Sequence, residues 1–61
     1  MKWYEYRDRR TQQDVWWTQR DANGVCWEIR REPYSTAFKL YRCGDFVSPW
    51  GTLDEAMKAA R

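Results

Sequence analysis

The sequence predicts an α+β fold, a four- or five-stranded antiparallel meander with one C-terminal α-helix packed on one face. Short runs of aromatic and β-branched residues alternate with polar, Gly and Pro breaks, which is typical of small antiparallel sheets. Asn23-Gly24 lies between two such runs and favours a hairpin turn, because both residues tolerate positive φ. Helical spacing of apolar residues begins only after Thr52. A chain of 61 residues allows a single domain, residues 1–61.

The strands follow from the spacing of these breaks. The first strand is rich in aromatic residues and ends before the polar stretch 9–13. Pro33 ends the third strand because proline cannot donate to a ladder. The fifth is short and contains Pro49. The predicted strands are 2–8, 14–20, 25–31, 36–43 and 46–50.

The helix begins with a capping box, in which Thr52 accepts from the Glu55 amide and Glu55 reaches back. Asp54 and Glu55 also lie at the positive end of the helix dipole. One apolar stripe follows, made of Leu53, Ala56, Met57 and Ala60. The stripe predicts that the helix packs against the sheet.

Cross-strand pairing predicts which side chains share a face. Pairing Trp27 with Leu40 also pairs Ile29 with Phe38, and it places Glu28 opposite Lys39 as a favourable charge pair. In the same register Cys26 faces Tyr41. Cys26 and Cys43 are then diagonal neighbours about 7 Å apart, so we expect reduced thiols rather than a disulfide.

The Asn-Gly hairpin decides between two arrangements of the second strand. A three-residue loop, 22–24, puts Gly24 in the left-handed conformation and pairs Trp17 with Ile29. A two-residue loop would instead bury Arg20 without a partner, which is costly. We therefore expect a helix-side face of Val15, Trp17, Val25, Trp27, Ile29, Phe38 and Leu40. The register of the first strand stays open: either Tyr4 and Tyr6 or Trp3 and Glu5 face the helix.

The opposite, open face carries the candidate binding residues. Trp16 is expected beside Arg30 as a cation–π pair, and Tyr34 on an exposed turn suits an interface anchor. The predicted partner-binding set is Trp16, Arg20, Arg30, Tyr34, Lys39 and Tyr41. A secondary basic loop consists of Arg7, Arg9 and Arg10. The alternative is a solvated face whose aromatic residues serve strand formation alone.

Composition argues against catalysis and membrane insertion. The chain has no histidine and its three glycines are isolated, so we expect no enzyme, no metal site and no cofactor. Eleven basic and nine acidic residues give a net charge of +2, a mild bias. No apolar run is long enough for a membrane span and the N-terminus lacks a signal-peptide pattern, which favours the cytoplasm.

The last third of the chain resembles a known type of small module. The residues that carry the resemblance are Phe38-Lys39-Leu40-Tyr41, Gly44 and Trp50-Gly51-Thr52-Leu53-Asp54-Glu55-Ala56. They are similar in layout to the arm-type DNA-binding domains of phage integrases, which are similar to the plant AP2 fold. That resemblance implies a sheet that enters the major groove, with Arg20, Arg30 and Lys39 toward DNA. Acidic Glu28 on that face departs from the pattern.

These observations predict a non-enzymatic protein-binding module. In size and style the chain resembles phage anti-defence proteins, including anti-CRISPR proteins, which implies an inhibitor that occludes the surface of a host protein or nucleoprotein complex. The alternative is direct nucleic-acid binding through the open aromatic and basic face. A third alternative is a homodimer formed through an exposed sheet edge.

Overall fold

The computed structural model describes all 61 residues and confirms the predicted fold class. Five antiparallel strands follow one another in the order β1-β2-β3-β4-β5, and one helix follows the last strand. The elements are β1 Tyr4–Asp8, β2 Gln13–Trp17, β3 Trp27–Arg31, β4 Phe38–Arg42, β5 Asp45–Trp50 and α1 Leu53–Ala59. No helix of the structure has the length and apolar character needed to cross a membrane.

Helix α1 begins at the predicted cap. The Thr52 hydroxyl accepts from the Glu55 amide at 3.1 Å and donates to the Glu55 carboxylate at 3.0 Å, so the two side chains fix the first turn. Ala56 and Ala60 are buried against the sheet, where Ile29 and Leu40 are fully buried. Because the alanine side chains are small, this short helix lies close to β4 and β5 and closes the core.

The β2–β3 connection contains the predicted three-residue loop together with a bulge. Asp21 N–H donates to Val25 C=O at 2.9 Å around the loop 22–24, and Gly24 has φ +78° as expected. Farther from the turn, Thr18 N–H donates to Trp27 C=O at 2.9 Å. Two residues, 19 and 20, therefore oppose the single residue Cys26, which is the arrangement of a β-bulge.

This bulge overturns the predicted pairing of Trp17 with Ile29. Ile29 pairs with Trp16, and Trp17 pairs with Glu28, a register one residue away from the prediction. A slip of one residue moves every side chain of a strand to the other face. Trp16 therefore lies on the helix side, 5.7 Å from the Phe38 ring, and the predicted Trp16–Arg30 pair does not form.

The bulge is stabilised by polar contacts that the prediction omitted. The Thr18 hydroxyl accepts from Trp27 N–H at 2.9 Å, and Thr18 is buried. Arg20 stays exposed and donates to Gly24 C=O at 2.7 Å. The extra residue thus allows Thr18 to be buried on the helix side without burying the Arg20 guanidinium. Val15 is also buried, but it lies on the opposite face, between Tyr6 and Arg30.

The β3–β4 register is shifted by two residues from the prediction, so the predicted pairs are wrong but the faces are kept. Ile29 pairs with Leu40, Trp27 with Arg42, and Glu28 with Tyr41. The connecting loop spans 32–37 because Ser35 organises it: its N–H donates to Glu32 C=O at 3.1 Å and its hydroxyl accepts from Ala37 N–H at 3.0 Å.

The β1–β2 register decides the alternative that the sequence left open. Tyr4 pairs with Trp17 and Tyr6 with Val15, so both tyrosines lie on the face opposite the helix. Glu5 pairs with Trp16 on the helix side, and Trp3 packs against the core cluster.

Candidate binding face

One row of paired residues crosses all five strands on the face opposite the helix. Successive register partners connect Tyr4 to Trp17, Trp17 to Glu28, Glu28 to Tyr41, and Tyr41 to Phe46. Four of these five positions are aromatic. We call Tyr4, Trp17, Tyr41 and Phe46 the aromatic row. At a strand spacing of about 4.8 Å, the row spans roughly 19 Å.

The rings of the aromatic row form two pairs on either side of Glu28. Tyr4 and Trp17 are stacked, with ring centroids 4.8 Å apart, and Tyr41 meets Phe46 edge-on at 5.6 Å. Phe46 remains 55% exposed. Pre-packed rings lose little conformational freedom on binding, so the row is a rigid apolar surface at low entropic cost.

Arg30 lies on the same face but is not a free cation. Its guanidinium bonds the Glu28 carboxylate at 2.9 Å and lies 3.5 Å from Asp8, and it also donates to Gln13 at 2.8 Å. The hydrogen bond to Glu28 is the main reason that the pKa of Arg30 is raised above its ordinary value. The charge in the centre of the face is therefore compensated within the protein.

Two other predicted cations are also engaged. Lys39 is adjacent to Arg30 in the ladder and reaches Glu32 at 3.3 Å. Arg20 lies in the β2–β3 bulge and bonds the Gly24 carbonyl. Of the predicted set, the structure brings Arg30, Lys39 and Tyr41 together on the open face.

Tyr34 is fully exposed on the β3–β4 loop. In a meander the β1–β2 and β3–β4 connections lie at the same end of the sheet, so Tyr34 shares that end with the basic loop. Trp16 lies on the helix side, so it is not one of the binding residues of the open face. The six predicted residues thus do not form a single patch.

The basic loop is only partly free. Arg7 lies 3.5 Å from Asp14, which also binds the Arg31 guanidinium, and that hydrogen bond is the first cause of the lowered pKa of Asp14. Asp8 accepts from the Arg10 backbone N–H at 3.0 Å, which lowers the Asp8 pKa. The Arg9 and Arg10 guanidinium groups make no ion pair.

Sequence reasoning placed Trp17 on the wrong face, left the face of Tyr4 open and did not assign Phe46 to a face. The alternation in β1 and β2 fixes which residues share a face, but the bulge fixes which face meets the helix. The signal that could have revealed it was Thr18, whose hydroxyl can replace a ladder acceptor where two residues oppose one.

An open pocket of about 330 Å³ adjoins the face at the end of the sheet near the bulge. Tyr6, Trp17 and Glu28 contribute from the face. The bulge and the β4–β5 turn complete the lining with Thr18, Cys26, Trp27, Cys43 and Gly44. The pocket is open to solvent and extends the surface on which a partner could rest.

Comparison of the chain with protein-family models, with curated proteins and with solved structures found no match.

Proposed function

We propose that the chain is a non-enzymatic protein-binding module that contacts its partner through the aromatic row. The observation that carries the proposal is the row itself, four aromatic side chains in five successive ladder positions across the whole sheet. Aromatic residues dominate interface hot spots, and clustered rings at the centre of a rigid face suit that role.

Charge compensation favours a protein partner over a nucleic acid. Glu28 lies in the centre of the row, where a carboxylate repels phosphate. Arg30 and Lys39, the cations of the same face, are held by Glu28, Asp8 and Glu32. Nucleic-acid binding takes most of its affinity from cations that neutralise phosphates, and the two cations beside the row already have carboxylate partners.

The protein as a whole has enough exposed surface for a standard interface. A standard interface buries about 800 Å² on each partner, and this protein exposes 4571 Å² in total. Six cations make no ion pair: Lys2, Arg9, Arg10, Arg20, Arg42 and Arg61. Of these, Lys2 lies over the Tyr4 ring of the aromatic row, and Arg9 and Arg10 lie in the β1–β2 turn. The partner surface should therefore be apolar in the centre with acidic side chains toward that edge, because complementary rim charges increase the association rate.

A face of this kind acts by covering part of the partner's surface and does not need to catalyse a reaction. An inhibitor that covers the working surface of a host protein or nucleoprotein complex, in the manner of a phage anti-defence protein, is the biological role we propose for it. The runner-up is direct binding of nucleic acid, for which Arg9 and Arg10 in the β1–β2 turn are the free cations.

Quantitative capture tests the proposal. The tagged chain is used as bait in an extract of its source cells, and the Tyr41→Ala/Phe46→Ala variant is compared with Tyr34→Ala. We expect the double variant to reduce retention of a specific protein at least tenfold, since two anchors are lost, while Tyr34→Ala changes it less than twofold. Circular dichroism checks that both variants are folded. Equal loss in Tyr34→Ala would place the site at the loop end instead.

Fluorescence anisotropy with mixed-sequence DNA and RNA tests the alternative that the chain binds nucleic acid directly. At about 50 mM salt we expect no saturable binding at micromolar protein concentrations. Micromolar affinity that decreases steeply with salt and is abolished by Arg9→Ala/Arg10→Ala would contradict the proposal.

A further inference from the structure

Cys26 and Cys43 lie next to each other just beyond the end of the β3–β4 ladder. The last register pair of that ladder is Trp27 with Arg42, and one step farther Cys43 N–H donates to Cys26 C=O at 2.9 Å. The sequence predicted a diagonal relation, which rested on a register two residues away. The observed register removes the geometric argument against a bond between the two sulfur atoms.

The backbone distance at such a position suits a disulfide. Directly opposed residues of an antiparallel pair have Cα atoms about 4.5–5.5 Å apart, and disulfides require about 4.4–6.8 Å. Both cysteines border the same open pocket. The Cys43 Sγ makes one weak contact, to Gly24 C=O at 3.7 Å. To bond to Cys26, the Cys43 Sγ must leave this contact.

The two thiols differ in access. Cys43 is exposed in the two-residue β4–β5 turn, where Cys43 and Gly44 have φ of 50° and 88°. Positive φ at both positions is typical of a type I′ turn. Cys26 is half-buried and immediately precedes β3. An oxidant therefore reaches Cys43 first.

We propose that Cys26 and Cys43 form a redox-active dithiol that small-molecule disulfides, such as oxidised glutathione, convert to an intramolecular disulfide. The Cys43 thiolate attacks one sulfur of the small disulfide, its S–S bond breaks, and one small thiolate leaves. The Cys26 thiolate then attacks the Cys43 sulfur and expels the second small thiol. The protein loses two electrons and two protons, and the small disulfide becomes two thiols.

The bond would attach the start of β3 to the β4–β5 turn. It lies beside Trp17 and Glu28, which line the same pocket, so the oxidised form holds that end of the face more rigidly. The chemistry of the dithiol does not depend on the proposed binding function, and each is tested separately.

Equilibration with glutathione redox buffers tests the proposal on the full chain. Samples are trapped with an alkylating agent, and intact mass reports the species. We expect a monomer that loses two thiols and two hydrogen atoms. The equilibrium constant for the disulfide should be at least tenfold higher in the native protein than in 6 M guanidinium, because folding holds the thiols opposite each other. The oxidised protein should also melt about 10 °C higher.

Two variants that each keep one cysteine test the separate roles of the two thiols. In Cys26→Ser the mixed disulfide with glutathione should persist on Cys43, since the resolving thiol is gone, whereas the reverse variant Cys43→Ser should acquire the adduct more slowly. If Cys26→Ser does not fold, Cys26→Ala supplies the same test. Persistent glutathione adducts on the wild type, disulfide-linked dimers, or equal constants in native and denatured protein would overturn the proposal.

Discussion

Trp16 and Trp17 are adjacent in the sequence and serve different parts of the molecule. Trp16 packs with Phe38 against the core under the helix, and Trp17 stacks on Tyr4 on the open face. In a strand, successive side chains alternate between faces, so only one of two adjacent rings can join the main core. The other is then available for contact with a partner.

Truncation of each tryptophan should separate these roles. We expect Trp16→Ala to reduce the free energy of unfolding by about 2–3 kcal/mol, because a ring is lost from the packed side. Trp17→Ala should cost about 1 kcal/mol, mainly the stack on Tyr4. Urea unfolding followed by circular dichroism measures both. A larger cost for Trp17→Ala than for Trp16→Ala would contradict the assigned faces.

For individual residues, the sequence predicts whether a side chain is buried better than it predicts the face of the sheet on which that side chain lies. Val15 is buried as expected but lies on the open face, and Trp17 is on the side opposite to the prediction. Alternation is a local property, and it establishes that Val15 and Trp17 share a face. Which face meets the helix depends on hydrogen bonds between Thr18 and Trp27, which are nine positions apart.

At the element scale, turns and caps follow local chemistry closely. The Thr52 cap and the loop closed by Gly24 occur where the sequence predicts them. The bulge and the longer β3–β4 loop were not predictable from spacing, because each depends on one side-chain hydroxyl, of Thr18 or Ser35, that satisfies a backbone N–H. Such a contact changes a register by one or two residues at little cost.

Substitution of Gly24 tests whether the β2–β3 turn needs a residue in the left-handed conformation. Its φ of +78° is strained for any residue with a Cβ, although nothing lies within 4 Å of the added atom. We expect Gly24→Ala to destabilise the protein by about 1 kcal/mol through backbone strain alone. Gly51→Ala is the matched control, since its φ is ordinary and its Cβ would meet only Glu55 at 3.8 Å. Equal urea midpoints for the two variants would argue against the left-handed turn.

Substitution of Thr52 tests the contribution of the helix cap to stability. Thr52→Ala removes the oxygen that accepts from the Glu55 amide and should cost about 1 kcal/mol. Thr52→Ser retains the oxygen and should remain within about 0.5 kcal/mol of the wild type. Thermal unfolding of the three proteins measures the difference. If serine and alanine are equally destabilising, the cap is not formed in solution.

At the scale of the whole molecule, a small core is supplemented by ion pairs that cross strands. Only seven residues are buried, and the helix covers β4 and β5. Over β1 to β3, Asp14 joins Arg31 and Arg7, while Asp8 joins Arg30. The Asp14 pairs lie on the helix side. On the open face, Arg30 and Lys39 are paired with Glu28, Asp8 and Glu32, so the surface there is aromatic rather than basic.

This network predicts acid sensitivity. The pKa of Asp14 is lowered in the folded protein, chiefly by the hydrogen bond from Arg31, and that of Asp8 is lowered by the Arg10 amide. Their stabilising contribution is present above the unfolded pKa of about 4 and is lost as the pH decreases through the lower folded values. The melting temperature should therefore decrease below about pH 4.

Asp14→Asn should flatten that pH dependence. The variant cannot lose a carboxylate charge at this position, so we expect a lower melting temperature at pH 7 and a smaller further decrease between pH 4 and pH 2. Asp45→Asn, at a carboxylate that makes no ion pair, is the control and should retain the wild-type slope. An unchanged slope in Asp14→Asn would remove Asp14 from the explanation.

Site-specific photo-cross-linking in the source cells tests whether the aromatic row is the surface that meets a partner protein. A photoreactive phenylalanine analogue replaces Phe46 on the row or Tyr34 on the loop. We predict that position 46 forms a discrete protein adduct that Tyr41→Ala abolishes, and that position 34 forms little or none. Adducts to nucleic acid, adducts only from position 34, or none from position 46 would contradict the account.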